Sequence, residues 1–469
     1  MALKDKIDKK PAVTRRDILK RGFYGGLSAS LSSVLWIHGC RKPRQGTRPN
    51  IILIVLDTTR VDRLGCYGYH RQTSPNLDKL AAESVIYTKA IATSSWTLPS
   101  HASLFTGKFT SSHGARYDPE GPLNIAEAID GPKSWKKYCA RGLAKDELTL
   151  AMILKDAGYA TAGVVGGPWL KRVFGLDKGF DYYDDTEIST LNGRLAQQVT
   201  EGAVNMIEKL NNKEFFLFLN YFDPHYPYTP PKKFASSFMP INLDLIDMKK
   251  PNIEEVNALY DAEILYMDHY IGRLIKRLKK DDLYDNTLII VAADHGELLG
   301  EHNLFHHGLY LSQQEIHIPF FLKYPKGEVS PDRNNLYVQL TDILPMICER
   351  LAIRAPENIQ GAVPSQSQHP IISETYPLSF LTTDGHWRAL FKDDFKFHWN
   401  SKAKHMLHNL KNDPAEDKNL RQIYYEKSEK MEKELNQYVV NLPKPGPPAP
   451  AKMLDKQTKD ALKSLGYVK

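Results

Sequence analysis

The sequence predicts an α/β fold: a doubly wound, mostly parallel sheet followed by a smaller C-terminal α+β subdomain. Three observations carry this. Continuous apolar, β-branched runs recur at 50–56, 161–165, 215–222 and 287–293, as expected of strands covered on both faces. Stretches with apolar residues at helical spacing lie between them, and that alternation builds a doubly wound sheet. After about Leu351 the pattern changes to shorter strands and one terminal helix.

Composition sets the class. The 469 residues are 42% hydrophobic and 25% charged, which suits a globular protein and disfavours disorder, collagen-like repeats and a coiled coil. A length prior of roughly 150 residues per domain suggests about three units. Fewer are expected, because α/β enzymes run longer as one. The net charge of +7 is concentrated at one end: residues 1–39 hold eight Lys/Arg against three Asp, leaving +2 for the other 430. The body therefore has no basic surface of the kind nucleic acid requires, and no nucleic-acid partner is expected.

Taken in order, residues 1–39 place Arg15-Arg16 before a weakly apolar Gly/Ala/Ser/Leu run. This resembles a twin-arginine export signal rather than a span, the run being short for a bilayer. An uncleaved anchor or a chance basic segment are the alternatives. Ile37-His38-Gly39-Cys40 looks like a lipoprotein cleavage box, with His38 unusual in it. So read, Cys40 is lipidated and tethers an exported, periplasmic or cell-envelope protein to a membrane. Cys66, Cys139 and Cys348 lack metal-ligand spacing and read as structural thiols. Residues 40–48 form a linker.

A catalytic domain is expected over 49–351. It opens with the strand at 50–56. A helix at 75–84 follows, with Ser74 as N-cap and Pro75 at its first position. A longer helix at 254–280 has a Lys/Arg-rich end that complements its dipole. The subdomain, 352–442, carries strands near Ile371, 387–391 and 395–399 and a helix at 426–440. Residues 443–469 begin with PKPGPPAP, a Pro-rich spacer.

Ligands of open parallel sheets bind beyond the carboxyl ends of the strands. Three of the expected strands end in Asp57, in Asp223-Pro224-His225 and in Asp294-His295-Gly296-Glu297. A single Asp there is usually a turn former or cap. Three Asp and two His, with His302, His306 and His307 nearby, point to a divalent metal site of carboxylate and imidazole, for Mn, Mg, Ca or Zn.

The segments RPNIILIVLDTTRVDRLG (48–65), WTLPSHASLFTG (96–107), ADHG (293–296), GEHNLFHHGLYLSQQEIHIPFFLKYP (300–325) and LHNLKNDPAEDKNL (407–420), with Leu465-Gly466-Tyr467, resemble the sulfatase family of the alkaline phosphatase superfamily. The resemblance implies an alkaline phosphatase-like fold. It also implies hydrolysis of sulfate esters or closely related phosphate esters. Carried over position by position, it makes Thr97 the nucleophile. Asp57, Asp294, His295 and the Thr97 oxygen become ligands of one divalent metal ion. His225 and His307 then contact the substrate or protonate the leaving group, and His101 helps stabilise the charged oxygens.

Three positions depart from the family. Thr97 stands where sulfatases oxidise a Cys or Ser to formylglycine, His101 where they have Arg, and Thr58 where many have a second metal-binding Asp. A threonine nucleophile resembles the phosphoethanolamine and phosphoglycerol transferases of the superfamily. A phosphodiester or phosphonate hydrolase, or a phosphoryl head-group transferase, is therefore the alternative. A second alternative is an inactive relative that binds anionic glycans or lipids. The partner expected is a small anionic ester, on a glycan or a lipid.

Overall fold

The computed structural model describes residues 48–188, 193–210, 213–238, 252–364, 369–377, 379, 382 and 384–447. The expected export signal, Cys40 and most of the Pro-rich tail lie outside them.

Eight strands of the described residues form the central sheet: β1 (Asn50–Leu56), β2 (Val85–Ile91), β3 (Ala160–Val165), β4 (Tyr182–Asp184), β5 (Phe215–Tyr221), β6 (Thr287–Ala293), β7 (Phe320–Lys323) and β8 (Asp332–Gln339). Their order is β8-β2-β7-β6-β1-β5-β3-β4. Every pairing is parallel except those of β7, which runs antiparallel to both β2 and β6. The apolar runs became β1, β3, β5 and β6, and β1, β5 and β6 are buried at every position. The sequence pattern marks none of β2, β4, β7 or β8. β8 (DRNNLYVQ) is a largely exposed edge strand, so its composition is polar.

Register places the functional ends together. Leu56 pairs with Tyr221 on one side and with Ala293 on the other. The residues that follow all three strands therefore leave the sheet at one edge.

Helices cover the sheet: α1 (Pro75–Ala81), α2 (Thr97–Thr106), α3 (Leu150–Asp156), α4 (Ala196–Lys209), α5 (Ile253–Lys280), α6 (Gln313–Ile316) and α7 (Ile343–Arg350). Ser74 does sit at the N-cap of α1, but its hydroxyl bonds the Asp78 carboxylate and the Gly65 N–H rather than a backbone N–H of the helix. The cap comes from α5. The Asp268 carboxylate accepts from the N–H groups of Asn76 (3.0 Å) and Leu77 (2.7 Å) and from the Asn76 amide (2.7 Å). Earlier in α5, the Tyr260 hydroxyl donates to Thr58 O (2.6 Å) and accepts from Arg60 N–H (3.0 Å), bracing the turn after β1. Asp268→Ala would leave the buried Leu77 N–H and the half-buried Asn76 N–H without acceptors, at about 1–3 kcal/mol each. A loss of roughly 2–4 kcal/mol is expected in urea unfolding, with Asp268→Asn losing less; an unchanged midpoint for the alanine variant would refute the cap.

The C-terminal strands β9 (Ile371–Thr375), β10 (Trp387–Lys392), β11 (Phe395–Asn400) and β12 (Met406–Asn409) form an antiparallel sheet in that order, with α8 (Tyr425–Val440) against it. Arg48, expected in the linker, belongs to the fold: it donates to Ala157 O (2.5 Å) and its guanidinium lies 4.8 Å from the Tyr159 ring centre. Cys66, Cys139 and Cys348 are free thiols.

Candidate active site

The shared edge of β1, β5 and β6 gathers the predicted site residues. Asp57 and Asp294 directly follow β1 and β6, and both are fully buried. Asp294 Oδ1 accepts from the N–H groups of His295 (2.9 Å) and Thr58 (3.2 Å). Asp57 Oδ2 accepts from the Asn220 amide (3.3 Å). The remaining oxygens, Asp57 Oδ1 and Asp294 Oδ2, have no hydrogen-bond partner. Burial pushes both carboxyls up, and for Asp57 the charge of Asp294 adds to the push.

One atom each from Asp57, Asp294 and His295 lies within 4.8 Å of the others. Among the described residues no lysine or arginine pairs with either carboxylate. Two buried acids with orphaned oxygens converging beside an imidazole are a donor set that fits a divalent cation. A second convergent group, His398, His408 and Glu416, differs in this respect: the Lys396 ammonium lies 2.9 Å from Glu416 and already balances its charge.

Thr97 is the first residue of α2, and its hydroxyl is 3.1 Å from His295 Nε2. His295 Nδ1 lies 2.9 Å from Gly296 O. A carbonyl only accepts, so Nδ1 carries the proton and Nε2 presents a lone pair. Burial, and then the charge of His307, hold this imidazole well below its usual pKa and hence neutral. The Thr97 hydroxyl accordingly donates to His295, as a nucleophile does to its base.

His101 takes a different part from the one expected. Its Nδ1 donates to the Thr97 carbonyl one helical turn back (2.9 Å), and burial lowers its pKa to about 4. Its only ring proton is thus committed to α2. It positions the turn that carries Thr97, and Nε2 has no hydrogen to offer a charged oxygen.

The two remaining histidines separate clearly. His225 Nδ1 donates to Tyr226 O (2.6 Å), its ring stacks on Phe222, and burial followed by the charge of His307 lowers its pKa to about 4. His307 Nδ1 meets Glu297 Oε1 at 3.0 Å. Burial alone would lower the pKa of His307, but the charge and hydrogen bond of Glu297 outweigh it and raise it. Its ring centre lies 4.4 Å from that of His295 and 5.1 Å from that of His225. His307 is therefore the histidine of the three suited to hold a second proton.

Asn220, Gly167 and Glu315 were not among the expected site residues. Asn220 is the polar residue of the buried run FFLFLNY; its Oδ1 accepts from Gly166 and Gly167 N–H while its amide holds Asp57. At Gly167 a Cβ would lie 3.3 Å from Asp57 Oδ2, so a glycine admits this approach. Glu315 in α6 accepts from Leu309 and Tyr310 N–H, just past His307, and Gly296 N–H donates to its carbonyl (2.7 Å). Asp223 proves to be a cap, accepting from Ala196 N–H at the start of α4 (2.8 Å). Thr58, in the left-handed region at φ 51°, turns its hydroxyl to Pro224 O (3.0 Å). His306 edges Tyr226 at the rim, and Tyr228 is buried against Tyr260.

Residues 49–353 match the family model for sulfatases. The chain belongs to the sulfatase family. It is 27% identical over 350 residues to the ulvan-active sulfatase of Formosa agariphila, covering 67% of this chain and 64% of that protein, and so spans less than two thirds of its length. The fold resembles the phosphonate monoester hydrolase of Agrobacterium radiobacter, with a TM-score of 0.67, 17% identity and coverage of 83% of this chain and 95% of that one. It also resembles BT4656 in complex with its substrate D-glucosamine-2-N,6-O-disulfate, with a TM-score of 0.67, 19% identity and coverage of 88% and 99%. Sulfatases and phosphonate monoester hydrolases share the alkaline phosphatase-like fold seen here.

Proposed function

We propose that this sulfatase-family protein is a metal-dependent hydrolase of sulfate esters or closely related phosphate esters that works through a covalent Thr97 intermediate. The observation that carries the reading is the Thr97 hydroxyl set 3.1 Å from a neutral His295 Nε2, beside two orphaned carboxylates.

Asp57, Asp294 and the Thr97 oxygen would hold one divalent ion, Mn, Ca, Mg or Zn, which when bound would lower the cost of a Thr97 alkoxide and offset the charge of the ester; His295, expected as a further ligand, has its one lone pair on Nε2 and would serve as the base instead. The chain's own residues supply the rest. Thr97 Oγ1 gives its proton to His295 and attacks sulfur or phosphorus. The N–H groups of Thr97 and Leu98 at the start of α2 would face the incoming anion. As the bond to the leaving oxygen breaks, His307 delivers its Nε2 proton to that oxygen. Water then releases the Thr97 ester, and an acceptor alcohol in its place would make the enzyme a transferase.

The Thr97 substitution favours one rival, a phosphodiester or phosphonate hydrolase. An exported, cell-envelope location with a lipid on Cys40 completes the reading and rests on the leader sequence. Mass spectrometry of the mature N-terminus tests it. For the chemistry, the metal-loaded protein should turn over an aryl sulfate in a panel with matched phosphate monoester, phosphate diester and phosphonate substrates. Faster turnover of a phosphate or phosphonate ester would sink the sulfate reading, and inertness toward all four with every metal would leave the binding-only alternative.

A further inference from the structure

A recess of about 320 Å³ opens between the short strand Arg116–Tyr117 and the chain just beyond β9, lined by Arg116, Tyr117, Asp118, Tyr376, Ser379 and His386 among others. Its volume is at the low end for ligand pockets, the scale of a single sugar ring. Its charges do not cancel. Asp118 is matched by Arg141 (3.2 Å) and, behind the recess, Glu374 by Arg388 (2.9 Å). Arg116 has no carboxylate partner among the described residues. Its guanidinium rests over the Tyr376 ring, 4.0 Å from the centre, and Tyr376 in turn stacks on His386 at 5.0 Å. Burial, followed by the charges of Arg388 and Arg116, lowers the pKa of His386 to about 4, so the histidine is neutral and the recess keeps one uncompensated positive charge. Beside it the Tyr117 and Ser379 hydroxyls form a 3.0 Å pair.

Two links fix this recess to the active-site segments. The Glu374 N–H in β9, two residues before Tyr376, donates to Thr93 O (2.9 Å), four residues before Thr97. The Tyr310 hydroxyl, three residues after His307, donates to Asp384 (2.9 Å), two residues before His386. Residues flanking the recess are thus bonded to both chain segments that carry the proposed nucleophile and proton donor.

We propose that the Arg116 recess is a subsite for a second anionic group, a sulfate or carboxylate, on the sugar unit next to the one that bears the scissile ester. The substrate class is then a polyanionic glycan. A planar, half-buried guanidinium held over an aromatic ring offers such an oxyanion two parallel N–H groups. This inference rests on the hydrolase reading above.

The test is calorimetric binding to the full chain carrying Thr97→Ala, which prevents turnover. The probes are a disaccharide sulfated on both rings and its counterpart sulfated on one. The doubly sulfated probe should bind about tenfold tighter, a gain typical of one partly exposed charge-assisted contact. Arg116→Gln should abolish that difference, and Arg116→Lys should keep part of it, with thermal unfolding unchanged in both. Equal binding of the two probes by the Thr97→Ala protein overturns the subsite, as does Arg116→Gln weakening both alike. Inorganic sulfate displacing the disaccharide's extra affinity at equal concentration would mean a simple anion site and also overturns it. Turnover of a small ester by the unsubstituted enzyme is scored separately. If that turnover is present while the probes bind equally, the hydrolase reading stands and the subsite alone fails.

Discussion

Replacing Thr97 with alanine is expected to lower kcat by about four orders of magnitude, the scale on which an enzyme loses a nucleophile that acts together with its base. The argument for a large kinetic effect is also an argument for a small effect on folding. The residue is buried, yet the change removes only a hydroxyl and a methyl group, and the hydroxyl's partner His295 Nε2 is a lone pair rather than a stranded donor. Loss of that one hydrogen bond costs about 1 kcal/mol, and loss of the buried methyl about as much again. Thr97→Ser restores the hydroxyl at the same place and should recover most of the rate, whereas an alanine variant retaining full activity would dismiss Thr97 as nucleophile. A second readout is independent of rate. Quenching during turnover and digesting the protein should yield the peptide containing Thr97 with the added mass of a sulfuryl or phosphoryl group, and the resting peptide should carry unmodified threonine.

The two carboxylates of the site were legible in the sequence because strands buried on both faces announce themselves as apolar runs. Their ends then announce where ligands gather. Asp57 and Asp294 needed no further information. Asn220 was visible as a polar interruption in FFLFLNY, but its use depends on Gly166 and Gly167 lying beside β5, which strand order alone decides. Glu297 stood two residues from His295 in plain view. Its importance arises only when the chain returns ten residues later and lays His307 on it. His101 shows the converse. Its place one turn after Thr97 was readable, but helix geometry hands its ring proton to the Thr97 carbonyl, and no residue pattern displays that. The edge strand β8 was missed because an exposed edge carries polar residues and lacks the apolar signal that marks interior strands.

The pairing of Glu297 with His307 yields the other large expected effect, one that depends on the leaving group. Glu297→Gln preserves an oxygen that can accept from His307 Nδ1 but removes the negative charge that raises the imidazole's proton affinity. Glu297 is fully buried, and its own pKa is held down by the charge and hydrogen bond of His307 against the opposing push of burial. Each group therefore sustains the charged state of the other. Without that charge, the proton on His307 Nε2 needed by the departing oxygen is lost. An alkyl or sugar alcohol leaves poorly as an alkoxide, so its ester should be cleaved about 10²–10³ times more slowly by Glu297→Gln, within the range that general acid catalysis contributes. A nitrophenolate departs without help, and its ester should be cleaved at nearly the original rate. His307→Ala should show the same split, with a deeper loss on the alkyl ester. The informative quantity is the slope of log kcat/KM against leaving-group pKa, which should steepen in both variants. An equal loss for the two classes of ester would show that the pair only shapes the pocket, and the proton would then have to come from elsewhere. His225, with its Nδ1 proton bound to Tyr226 O and its ring neutral, is poorly placed to supply it.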